Sequence, residues 1–156
     1  MEQLIEAMVK ALNEAGLHAV AAMPGQVMPL LKSSMVAVDI AKANCRGAGL
    51  YHYLGIYQDQ ELYGRQLDAT LQLDVYVPEN SGGKGAREAM TQVINVLLAG
   101  VEALSMGEIS IGNCEYNADC DCFTGKILVP VSAYGYATLS ADGTAFEDFR
   151  LKGELK

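Results

Sequence analysis

The sequence predicts an α+β fold, a mainly antiparallel sheet with two amphipathic helices packed on one face. Two segments carry apolar residues at helical spacing, and several others alternate with period two. Their order is helix, strands, helix, strands, with hairpin-type connections and no repeated βαβ unit. The 156 residues are 51% hydrophobic and 19% charged, which fits a folded chain forming one domain over residues 1–156.

Residues 2–15, EQLIEAMVKALNEA, place Leu4, Ile5, Met8, Val9 and Leu12 on one helical face, with Gly16 as the stop. Pro24 and Pro29 then mark a loop. MVAVDI, residues 35–40, reads as a short strand, followed by a loop through KANCRGAG. In residues 50–58, LYHYLGIYQ, Leu50, His52, Leu54 and Ile56 alternate with Tyr51, Tyr53, Gly55 and Tyr57, a strand with one aromatic face. QDQELYGR reads as a polar turn tightened at Gly64.

LDATLQLDVYV, residues 67–77, is the plainest strand. Leu67, Ala69, Leu71, Leu73, Val75 and Val77 share one face, and Asp68, Thr70, Gln72, Asp74 and Tyr76 share the other. Pro78 ends it. A second helix is expected from Ala86, carrying Met90, Val93, Ile94, Leu97, Leu98, Val101 and Leu104 on its apolar stripe and stopping at Gly107. Residues 108–116 and about 122–139 read as strands around the turn NADC, with Gly125 and Pro130 marking a bulge or an edge. Asp142-Gly143 suits a two-residue hairpin turn that brings a last strand back.

The stretch VYVPENSGGKGAREAM has the outline of a phosphate loop, strand to glycines to helix. A Walker loop, however, needs Ser or Thr after its lysine to bind magnesium, and here Gly85 follows Lys84. Pro78 stands where the first glycine belongs. The glycines are therefore expected to link strand to helix, with no nucleotide or other cofactor. Cys114, Cys120 and Cys122 form C-x5-C-x-C, which lacks the paired spacing of a zinc site. No metal is expected, and a structural disulfide is disfavoured in a reducing cytoplasm. If residues 120–126 are a strand, Cys120 and Cys122 share a face. His18 and His52 stand apart from any nucleophile motif, so no enzymatic activity is expected, and His52 reads as a packed or interface residue.

The N-terminus MEQLIEAMVK lacks the basic and apolar regions of a secretory signal, so the cytoplasm is the expected site of synthesis. No apolar run is long enough to span a membrane. The net charge of −8 disfavours nucleic acid and anionic lipid as partners.

ELYGRQLDATLQLDVYVPEN, then the glycine loop and amphipathic helix, then ISIGNCEYNADCDCFTGKILVPVSAYGYA, resembles small proteins of phage and prophage tail clusters of Gram-positive bacteria. Over roughly residues 1–152 the order of elements is similar to the tail terminator, or tail-completion, family. The resemblance matches Leu67 to Val77 and Ile127 to Ala137 to that family's sheet. It implies a subunit of a virion or phage-tail-like particle, contractile or not, assembled in the bacterial cytoplasm. Such subunits form a homo-oligomeric ring, a hexamer in the family, at the head-proximal end of the tail tube. The implied partners are the tube protein and also sheath and neck proteins, and no catalytic residue is implied. Tyr51, Tyr53, Tyr57 and Tyr76 suit a subunit or tube interface, where Tyr is enriched. Glu61, Tyr63 and Arg65 of the turn QDQELYGR join them as expected contacts. The alternatives are a neck or baseplate adaptor, or a small cytosolic ligand-binding domain or small enzyme that uses the sheet face and His52 as a pocket.

Overall fold

The computed structural model describes residues 1–22, 30–47, 53–138 and 149–152. Its elements are α1 (Glu2–Glu14), β1 (Ala19–Ala21), β2 (Met35–Gly47), β3 (Tyr53–Tyr57), β4 (Gln60–Pro78), α2 (Gly82–Ala99), β5 (Ser105–Met106), β6 (Ser110–Asn117), β7 (Cys122–Thr138) and β8 (Phe149–Lys152). The strands form one sheet, antiparallel except for the short β1–β2 pairing, and the fold is α+β as expected.

β4 and β7 form its spine. They pair in unbroken register from Leu62↔Thr138 to Pro78↔Cys122. Beyond β4 lie β2, with β1 outside it, and the hairpin partner β3. Beyond β7 lie β6, β5 and β8, end to end along its length.

The alternation read in residues 67–77 sets the core. Leu67, Ala69, Leu71, Leu73, Val75 and Val77 are all buried, as are Ile127, Val129, Val131 and Ala133 beside them on β7. Leu4, Met8 and Leu12 of α1 and Ala86, Met90, Val93 and Leu97 of α2 complete the same cluster. Both helices thus cover one face of the sheet. Truncating a large member such as Leu71 to Ala costs about 2–5 kcal/mol by lost transfer energy and cavity formation.

Several element boundaries differ from the sequence reading. β2 runs on through Gly47 because Ala41 is an extra residue in a bulge: Ile40 faces Leu71 and Lys42 faces Thr70. The bulge reverses the inward phase, so Val36, Val38 and Ile40 are followed inward by Ala43 rather than by Lys42. A single alternating pattern therefore ends at Ile40 although the strand does not. QDQELYGR is not a turn around Gly64: the reversal lies at Gln58 and Asp59, both at positive φ, and Gln60 to Arg65 already belong to β4.

The glycines 82–85 are not a loose link. They form the first turn of α2 after a single 3-10 turn over Glu79–Ser81. The helix also stops earlier than Gly107. Gly100 adopts φ +90°, open to glycine and strained for other residues, and Val101 and Leu104 reach the core from the following turn. Gly16 ends α1 in the same way, at φ +86°. Cys120 lies in the turn before β7, as the turn NADC has it, and not in a strand from residue 120.

Pro130 occupies a local edge. Gly107 donates its N–H to the Pro130 carbonyl at 2.8 Å, so that side of Pro130 faces the gap between the stretches paired with β6 and with β5. The missing proline N–H falls in the same gap and breaks no ladder bond. Gly125 lies in the interior of the sheet beside a bulge, which falls on β6 between Ile111 and Cys114, the partner of Gly125. It sits in register opposite Val75, and a Cβ there would lie 2.5 Å from the Met90 sulfur. The glycine lets α2 approach β7. The β8 pairing along Tyr134–Ala137 brings the last strand back as expected, while the Asp142-Gly143 turn lies outside the described residues.

Gly125→Val should lower the unfolding free energy by about 1–3 kcal/mol, the range for overpacking a buried site. Because the obstacle is one side chain, Met90→Ala should recover part of that loss in the double variant. Urea unfolding of the four proteins in a double-mutant cycle measures the coupling, and additive effects would place the strain elsewhere.

Candidate functional site

The helices leave the other sheet face open, and the long strands carry a part of the sheet past the helical layer. Beyond Leu67 on β4, alternation puts Arg65, Tyr63 and Glu61 on the helix-side face, where the core cluster no longer reaches. Tyr53 pairs with Tyr63 and Ile56 with Glu61 across the β3–β4 hairpin. The Tyr53 and Tyr63 rings meet edge-to-face with centroids 5.6 Å apart. Ile56 is 66% exposed and Tyr53 43%, so the hairpin presents an aliphatic and an aromatic side chain on one face. The Tyr63 hydroxyl donates to Glu61 Oε2 at 2.7 Å, and that bond to a carboxylate raises the phenol's pKa. Tyr63 is thus held as a neutral donor.

The expected interface residues do not form one cluster. Tyr53, Glu61, Tyr63 and Arg65 gather at the projecting end on the helix-side face. Tyr76 lies near the other end of β4 on the open face, thirteen positions from Tyr63. At about 3.4 Å per strand residue the two are roughly 40 Å apart along the strand. Partial burial, and then the nearby Asp74 charge, raise the Tyr76 pKa. Around Tyr76 a shallow groove of about 290 Å³ is lined by Gln72, Asp74, Glu115, Asn117 and Lys126 among others. Tyr51 and His52 lie outside the described residues, and of Tyr57 only the backbone, paired with Gln60, is described.

Sequence reading did not single out the polar network at the middle of the open face. Asp68 on β4 accepts hydrogen bonds from Ser132 Oγ of β7 at 2.6 Å, Arg46 Nε of β2 at 2.7 Å and Gln66 Nε2 at 3.1 Å. Arg46 adds an ion pair to the same carboxylate. The Ser132 bond first, and then Arg46 and Gln66, hold the Asp68 carboxyl below its usual range, against the opposing effect of partial burial. Each residue type was visible as a polar position on an alternating strand. Their convergence depends on which strands are neighbours, and that is not written in any one segment.

Lys84 is exposed and lies 3.9 Å from Glu88 one turn along α2. Among the described residues no group of three or more His, Cys, Asp or Glu side chains is placed to hold a metal ion, and no helix is long and apolar enough to cross a membrane. Against the expectation, Cys120 and Cys122 are joined by a disulfide, with Cα atoms 5.3 Å apart. The turn at Asp121 brings the two sulfurs together, which a strand beginning at Cys120 would have prevented. Cys45 and Cys114 are free thiols. No family model matches this chain, and no curated protein is significantly similar to it.

The Asp68 network makes a testable pH signature. A carboxyl whose folded pKa is lowered stabilises the fold above its unfolded value of about 3.9, and this contribution is lost as pH falls through the folded pKa. Asp68→Asn should therefore be less stable than wild type at neutral pH. The gap between their urea midpoints should narrow as pH falls below the ordinary carboxyl range, and a gap constant from neutral to acid pH would contradict the assignment.

Proposed function

We propose that this chain is a structural subunit of a phage tail or phage-tail-like particle. In this reading it closes into a ring, of six copies by resemblance to the tail terminator family, at the head-proximal end of the tail tube. There it ends tube polymerisation and joins the tube to the neck, with the tube protein as its first partner and sheath and neck proteins beside it.

One structural observation supports this reading most. Two different surfaces lie at opposite ends and on opposite faces of the long β4 strand: the projecting Tyr53, Ile56 and Tyr63 end, and the Tyr76 groove. A ring needs heterologous, head-to-tail contacts between unlike surfaces, closing by rotation, whereas a two-fold dimer pairs one patch with itself. Exposed tyrosine with an aliphatic neighbour is the usual composition of an interface centre. The net charge of −8 suits a conduit along which DNA slides without being held. The ring subunit needs no chemistry of its own.

Removing the gene from its particle should give tails of irregular length that fail to join heads, or that end irregularly where the particle is headless. The substitution Ile56→Asp should reproduce that phenotype while the purified subunit unfolds at an unchanged urea midpoint, because the side chain is in solvent in the free chain. Tails of normal length in the deletion, or this protein found at the baseplate by electron microscopy, would reject the reading.

A further inference from the structure

The β6–β7 turn carries a bonded pair of cysteines with unequal exposure. Cys122 is the first residue of β7, fully buried opposite Pro78, whereas Cys120 is half-buried in the turn. Between them Asp121 is exposed and takes a left-handed conformation, φ +47°, which turns the chain so that the two sulfurs meet. The Tyr116 hydroxyl donates to Asp121 Oδ1 at 3.0 Å, and the Asp119 N–H donates to Asn117 Oδ1 at 2.9 Å. The turn is thus held in the bonded geometry by contacts that do not involve sulfur.

We propose that Cys120–Cys122 is a thiol-exchange site, at which small thiols and dithiols attack Cys120 while Cys122 serves as the buried resolving cysteine. The attacking thiolate bonds to Cys120 Sγ, the Cys120–Cys122 bond breaks, and Cys122 leaves as a thiolate that takes a proton. A dithiol completes the reduction: its second thiolate attacks its own sulfur in the mixed disulfide and Cys120 leaves and is protonated. The dithiol is oxidised to a disulfide by two electrons, and the protein is reduced by two. With a monothiol, Cys122, two residues away, competes with a second thiol molecule for the mixed disulfide and re-forms the ring, expelling the first.

Exposure selects the attacked sulfur, since exchange requires in-line access and Cys122 offers none. The ring encloses so few residues that its effect on unfolded-chain entropy is small, so a role in global stability is not its main contribution. Its effect is local, confined to the hairpin tip.

Thiol counting on protein purified in air tests the bond itself. Denatured without reductant, the wild type should show two reactive thiols, Cys45 and Cys114, and all four cysteines after dithiothreitol. Accessibility is then tested natively with oxidised glutathione in a Cys45→Ser background, by intact mass and peptide mapping. With Cys122→Ser, Cys120 should gain glutathione about tenfold or more faster than Cys122 does with Cys120→Ser. Four thiols without reductant, or equal rates at the two positions, would overturn the proposal. The count on wild type stands even where a variant folds poorly.

Discussion

The unbroken pairing of β4 with β7 is the constraint on which the rest depends. Every residue of the 17-residue β7 has a partner on β4, so the inward phase of one strand fixes that of the other. Irregularities are moved outward to the flanking strands. β2 absorbs an extra residue at Ala41 and β6 another between Ile111 and Cys114, while the spine keeps strict alternation. With that register fixed, Val75 and Gly125 come side by side, and the space left by the missing side chain receives Met90. The position of α2 is therefore a consequence of sheet register as much as of its own apolar stripe.

The same register explains why the molecule has two unlike exposed surfaces. Alternation along β4 does not stop where the helices stop. It delivers Leu67 to the core and Arg65, Tyr63 and Glu61 to the same face beyond the core's edge, while Tyr76 remains on the open face. One strand thus supplies core, arm and groove in turn. The Asp68 network joins β2, β4 and β7 halfway between, a charge-assisted contact across three strands where hydrogen bonds to a carboxylate are stronger than neutral ones.

How much of this was legible in the sequence follows from the range of the forces involved. The faces of residues 67–77 and of α1 were readable because burial repeats at a fixed local period. The continuation of β2 was not, since a bulge inverts that period and the strand then resembles a loop rich in Lys, Asn and Gly. The helix start at Gly82 was hidden by glycines, which are poor helix formers on their own and are carried here by the eighteen-residue helix they begin. The Cys120–Cys122 bond was set aside on the expectation of a reducing compartment, and the left-handed turn at Asp121 that brings the sulfurs together has no local sequence signature. Among the site residues, types were visible and company was not: nothing local separates Tyr76 from Tyr63, or brings Ser132 to Asp68.

The spine also has a kinetic consequence. β4 and β7 are not joined by a hairpin, and their nearest partners, Pro78 and Cys122, enclose α2, β5 and β6. The central ladder must therefore close a long loop before its contacts reward the closure, which is the arrangement that slows folding. α2 shortens the flexible part of that loop if it forms first, because it carries the chain along the sheet to β5, from which β6 runs back beside β7. The seat that Gly125 provides for Met90 lies beside the β4–β7 pairs of smallest sequence separation, so the fit of one helix against one glycine bears on how the chain reaches its fold as well as on how tightly it holds it.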